Sequence, residues 1–203
     1  MSAARGARPP KKSGAPAGAI FLVGFMGAGK STVGRALGRE LGWFFEDLDD
    51  RIERRESRSV AEIFRDSGEQ EFRQAEQAAL REVLEDLSIG APRVVALGGG
   101  AFAKNENAAL LKTAGVPTIF LDAPVEELWQ RCCAQADEAG TVRPLLRSRE
   151  QFGELYAARR RSYSKALLKI QTSSRPVKTI VDEIAKALGL KKIATRTEQG
   201  DFE

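Results

Sequence analysis

The sequence predicts an α/β fold, a three-layer α/β/α arrangement on a five-stranded parallel sheet. Three observations carry this. Short apolar runs recur along the chain and alternate with segments of helical spacing. The connections between them are short, which suits a parallel sheet covered on both faces. The first apolar run also leads through a glycine-rich loop straight into a helical pattern.

Each element has its own signal. Ala19-Ile20-Phe21-Leu22-Val23 suits a buried strand, and the helix from Thr32 to Leu41 places Val33, Leu37 and Leu41 on one face. Trp43-Phe44-Phe45 forms a second strand that runs into the acidic cluster Glu46-Asp47-Leu48-Asp49-Asp50. Ser59-Val60-Ala61-Glu62 is a capping box that opens a short helix to Arg65. A longer helix spans Glu69 to Leu87. Val94 to Leu97 is the third strand, ending in Gly98-Gly99-Gly100, and Pro117 to Leu121 is the fourth. A helix from Pro124 to Cys133 follows, and Ala134 to Ser148 then lacks regular periodicity. The helix from Glu150 to Lys165, a strand at Leu168-Lys169-Ile170 and the helix from Val177 to Leu188 complete one domain over residues 19–188. Residues 1–18 are Ala, Gly, Pro, Ser, Arg and Lys, the composition of a disordered tail, and 189–203 form a loose polar tail.

Composition narrows the function. A chain of 203 residues with 42% hydrophobic and 30% charged residues is an ordinary single domain. No apolar run reaches the roughly 20 residues of a membrane helix. Cys132 and Cys133 are adjacent, so they build neither a disulfide framework nor a zinc site and fit a reducing, cytoplasmic setting. The basic first 18 residues also match a short transit peptide. Histidine is absent, which leaves carboxylates, Lys and Arg for any chemistry. Basic residues gather in two regions: seven against one Glu in 1–45, and ten against two acids in 143–178. An anionic ligand explains that pattern; a nucleic-acid surface is the rival, but no helix-turn-helix, RRM or zinc-finger pattern accompanies it.

Gly24-Phe25-Met26-Gly27-Ala28-Gly29-Lys30-Ser31 fits the phosphate-loop pattern G-x-x-x-x-G-K-[ST] between a strand and a helix. The loop Gly27, Ala28, Gly29, Lys30, Ser31 and Thr32 would cradle nucleotide phosphates with backbone N–H groups and a helix N-terminus. Lys30 reaches the β- and γ-phosphates, and the Ser31 hydroxyl suits Mg²⁺. After the second strand, Asp47 is placed to order the water shell of that metal and Asp49 to orient a substrate hydroxyl. A solvated helix N-terminus would produce the same acidic cluster. On the helix containing Phe72, Glu76 falls at about 40° and Arg73 at about 100°, both inside the apolar arc. A buried charged pair is costly unless partnered, so either a structural pair or an arginine held toward an anion accounts for it. Arg159, at about −20° from Phe152, sits within its helix's inward stripe, while Arg161 faces away. Arg143, in the irregular segment, suits a loop that closes over phosphate. Gly98, Gly99 and Gly100 make a sharp turn that also lets a small ligand touch bare backbone.

Taken together these residues resemble the shikimate kinases over about residues 19–188. The likeness rests on the loop Gly24 to Thr32, Asp47-Leu48-Asp49, and Arg58-Ser59-Val60-Ala61-Glu62-Ile63-Phe64. It continues through Gly68-Glu69-Gln70-Glu71-Phe72-Arg73 with Glu76, Leu97-Gly98-Gly99-Gly100-Ala101, and Arg143-Pro144-Leu145-Leu146. The resemblance implies a P-loop kinase fold with a mobile lid at about 134–148, and Mg·ATP-dependent phosphorylation of the shikimate 3-hydroxyl. It implies a monomer acting on small molecules, with no nucleic-acid or membrane partner. Lys30, Asp49 and Arg143 would be catalytic; Asp49, Arg73, Gly98, Gly99, Gly100 and Arg159 would bind shikimate; Arg143 and Arg175 would meet ATP; Ser31 and Asp47 would serve the metal. Leu48 replaces a small polar residue usual in the family, and Ser174-Arg175-Pro176 matches its adenine segment loosely. A kinase of another hydroxy acid such as gluconate, and a nucleotide-binding switch that phosphorylates no metabolite, are the alternative readings.

Overall fold

The computed structural model describes residues 18–87, 90–139, 148–191 and 193. Residues 1–17 and 194–203 of the two tails and the segment 140–147, with Arg143, lie outside the described residues. The elements run β1 Ala19–Val23, α1 Lys30–Leu41, β2 Phe44–Asp47, α2 Leu48–Glu56, α3 Val60–Asp86, β3 Arg93–Ala96, a 3-10 turn at Ala101–Ala103, α4 Asn105–Thr113, β4 Thr118–Asp122, α5 Val125–Ala139, α6 Arg149–Tyr163, β5 Leu168–Gln171 and α7 Val177–Ala187. All five strands are parallel, in the order β2-β3-β1-β4-β5. β1 and β4 are buried at every position, as apolar runs covered on both faces require. α1 and α7 pack together, and α2 packs against α3. The three-layer expectation holds. Among the described residues no helix is long and apolar enough to cross a membrane.

Three local results differ from the sequence reading. The two helices expected at 59–65 and 69–87 are one element, α3, kinked at Gly68, whose φ of 78° and ψ of 178° break the helical path. The Ser59–Glu62 capping box opens it. α4 was not anticipated as a helix, and α2 only as the helix N-terminus offered for the acidic cluster. α2 is strongly charged and buries only Leu48 and Ile52, and α4 buries only Asn107 and Leu111, too few core positions for a readable period. α5 runs to Ala139 rather than ending at Cys133. Ala134-Gln135-Ala136-Asp137-Glu138-Ala139 carries three alanines, and helix propensity extends the element where the apolar period has stopped. Of the lid region expected at 134–148, the first six residues are therefore helical.

Candidate active site

The C-terminal ends of β1, β2 and β3 meet at one place because these strands are neighbours in the sheet. The β1 end carries the phosphate loop. Gly24, Gly27 and Gly29 have φ of 147°, 76° and 87°, conformations that suit glycine and turn the backbone through the loop. Helix α1 starts at Lys30 and receives no side-chain cap, so its first N–H groups remain open to an anion. Lys30 Nζ donates to the Gly24 and Phe25 carbonyls, each at 3.0 Å, which folds the cation back over its own loop. The Ser31 hydroxyl donates to Asp47 Oδ2 at 2.7 Å and so ties the loop to the end of β2.

Asp47 is also the N-cap of α2, its carboxylate accepting from the Asp49 N–H at 3.2 Å. That turn delivers Asp49 inward. Its Oδ1 is buried and accepts no hydrogen bond within the described residues. Burial, then the charge of Asp47, pushes its carboxyl up to about 6, against the pull of Lys30. An unpartnered buried carboxylate oxygen costs free energy, and this one faces the glycine turn after β3.

The glycine triplet after β3 is where the charged groups converge. A methyl group on Gly98 would stand 2.7 Å from Asp49 Oδ1, and one on Gly100 2.6 Å from Arg73 Nη1. On Gly99 it would stand 3.7 Å from both Arg159 Nη1 and the Met26 backbone nitrogen of the phosphate loop. Side chains at the first and third positions would collide with catalytic-type groups; glycine keeps the backbone bare between them. Arg73 is held by Glu76 at 2.9 Å and Glu69 at 3.1 Å, and Glu76 is only 1% exposed. Burial raises the Glu76 carboxyl while Arg73, Arg159 and Lys104 oppose the rise. Arg159 reaches over the Phe25 ring at 5.8 Å. Its neighbours on α6 turn elsewhere: Arg160 pairs with buried Asp122 at 3.0 Å, and Arg161 is exposed.

Ser31 and Asp47 offer hard oxygen donors beside the loop, and no cage of three or more His, Cys, Asp or Glu exists among the described residues. That donor set fits Mg²⁺, which takes one or two protein oxygens and otherwise phosphates and water. Arg175 pairs with Glu183 of α7 and donates to the Gln171 carbonyl at 2.9 Å. The residue at the loop is Arg131, which sequence reasoning missed. From α5 it donates to the Gly27 carbonyl at 3.2 Å and the Thr172 carbonyl at 3.1 Å, braced by Glu127. It left one signal, being the single basic residue between Lys112 and Arg143.

A loop made for phosphate, a raised carboxyl and two guanidinium groups around bare backbone define a class, the P-loop kinases that phosphorylate a small anionic molecule. Residues 26–189 match the family described as shikimate kinase, and the chain belongs to that family. The shikimate kinase of Persephonella marina is 39% identical over 166 residues, covering 81% of this chain and 95% of the relative. That of Geobacter sulfurreducens is 42% identical over 169 residues, with 82% and 88% covered. The solved shikimate kinase of Acinetobacter baumannii in complex with shikimate superposes with a TM-score of 0.74 at 33% identity, over 84% of this chain and 92% of that one. A gluconokinase from Sinorhizobium meliloti, at TM-score 0.55 and 18% identity, shares the fold alone.

Proposed function

We infer that this protein transfers the γ-phosphoryl group of ATP to the 3-hydroxyl of shikimate, giving shikimate 3-phosphate and ADP. The observation that carries the reading is the convergence of Asp49, Arg73 and Arg159 on the Gly98–Gly100 turn beside the phosphate loop. Two guanidinium groups suit the carboxylate of the substrate, and Asp49 accepts the hydrogen bond of the attacking hydroxyl, aiming its oxygen at phosphorus. A bond forms from that oxygen to phosphorus as the bond to the β,γ-bridging oxygen breaks, and the hydroxyl proton leaves with the Asp49 carboxylate as its nearest acceptor. The protein's share is positioning and neutralisation of charge.

The loop Gly27–Thr32 would hold the phosphates, with Lys30 swinging from its own carbonyls to the β- and γ-oxygens. Ser31, and Asp47 through water, would hold Mg²⁺, which would supply charge neutralisation on those oxygens. Arg143 is assigned to the γ-phosphoryl group by the family resemblance. Arg131, which borders the phosphate loop, joins Arg175 as a nucleotide contact in this reading. The same reading takes the enzyme as a cytoplasmic monomer, in keeping with Cys132 and Cys133, neither of which is in a disulfide. Coupled ADP-release assays across several hydroxy acids test the substrate: turnover with shikimate and none with gluconate is expected. Equal turnover with both would overturn the assignment.

A further inference from the structure

The three carbonyls of the glycine turn are not held alike. Gly98 and Gly100 accept from the Ala101 and Ala103 N–H groups, both at 3.1 Å, bonds local to the 3-10 turn. The Gly99 carbonyl is held from outside, by the hydroxyl of Tyr163 on α6. Tyr163 is fully buried, with its ring 5.3 Å from that of Phe120. Burial lifts its hydroxyl to about 12 although Arg159, by its charge and by a hydrogen bond to that hydroxyl, opposes the rise, so the group remains a donor at any working pH. Arg159 lies four residues earlier on the same helix, hence on the same face. None of the N–H groups of Gly98, Gly99 and Gly100 donates to another described residue.

A peptide between two glycines rotates at little steric cost. Its C=O and the following N–H are coplanar and point in opposite directions, so fixing one fixes the other. We propose that Tyr163 is a positioning residue for the substrate carboxylate: by holding the Gly99 carbonyl toward α6, it fixes the Gly99–Gly100 peptide, the bare backbone that lies beside Arg159 and Arg73. The phenol thereby fixes a neutral backbone donor beside the two charged ones and couples helix α6 to the turn after β3. This inference rests on the shikimate reading of the site.

The test is Tyr163→Phe, which removes the hydroxyl and keeps the ring packed. Calorimetry with shikimate, and with its neutral methyl ester, is run on the wild type first; a wild type that binds no shikimate overturns the functional reading itself. Given wild-type binding, Tyr163→Phe should weaken shikimate by about 3- to 10-fold, the span of one neutral hydrogen bond, and raise KM rather than lower kcat. Affinity for the ester and KM for ATP should stay within about twofold of wild type. Phe120→Leu, which loosens packing on the ring but spares the hydroxyl, should lower Tm without this selective loss. Unchanged shikimate affinity in Tyr163→Phe would overturn the proposal. So would equal losses for acid and ester, or a matching shikimate defect in Phe120→Leu.

Discussion

Asp49 holds the proposed chemistry and a stability cost together. In the fold its carboxyl titrates at about 6, whereas its ordinary value is 3.8. The folded protein therefore retains a proton that the unfolded chain has released, and the contribution of this group to stability falls as pH rises from about 4 to about 6. Asp49→Asn removes the cost: Tm should rise at pH 7.5 and change little at pH 4, while turnover falls about 100-fold or more. The wild-type kcat/KM for shikimate should climb with pH through about 6, since only the carboxylate accepts the hydroxyl's hydrogen bond. The two arginines separate by what stands behind them. Arg73→Ala and Arg159→Ala should each weaken shikimate by about 10- to 100-fold, with ATP affinity nearly intact. Arg73→Ala strands its buried ion-pair partner, Glu76, and it should cost about 3–5 kcal/mol in urea unfolding. Arg159→Ala breaks no ion pair of that kind; it loses a contact over the Phe25 ring and a hydrogen bond to Tyr163, about 1–2 kcal/mol together.

Among the elements, α3 and α6 carry the groups that grip the substrate in this reading, and both place their charged residues by helical phase. Phase was legible: Arg73, Glu76 and Arg159 stood in apolar arcs of the sequence, and they face the glycine turn. The kink of α3 is set by Gly68, in a backbone region open essentially to glycine. It follows the segment capped by Ser59 and precedes the one bearing Arg73, and Phe64 stacks on Phe72 across it at 4.4 Å. Gly68→Ala should lower stability by about 1–3 kcal/mol, seen as a lower urea midpoint with an unchanged m-value. Phase reading failed for α2 and α4, where few residues reach the core and the polar majority hides the period. It also failed for Arg131, whose value comes from contacts with Gly27 and Thr172, distant in sequence.

For the molecule as a whole, strand order decides what meets what. With β1 between β3 and β4, and β3 between β1 and β2, three loops that are far apart in the chain open on one edge of the sheet. Ligands in such sheets bind beyond the carboxyl ends of the strands, where the phosphate loop, Asp49 and the glycine turn now stand. In the proposed function the remaining catalytic contribution falls to Arg143. If it neutralises transition-state charge, Arg143→Ala should lower kcat by about 100-fold or more while leaving shikimate affinity, measured without nucleotide, unchanged. Stopped-flow phosphoryl transfer and calorimetry on one preparation would separate the two effects, and a loss confined to binding would contradict the role.

By itself the sequence determined the elements with strong periods, the phosphate loop, and the identity of the charged residues turned inward, because each depends on spacing within a few residues. Tertiary structure decided the pairing of Ser31 with Asp47, the burial that raises Asp49, and the presence of Arg131 at the loop. These are properties of residues brought together across the sheet, where desolvation and distance set their chemistry, and local spacing carries no record of either.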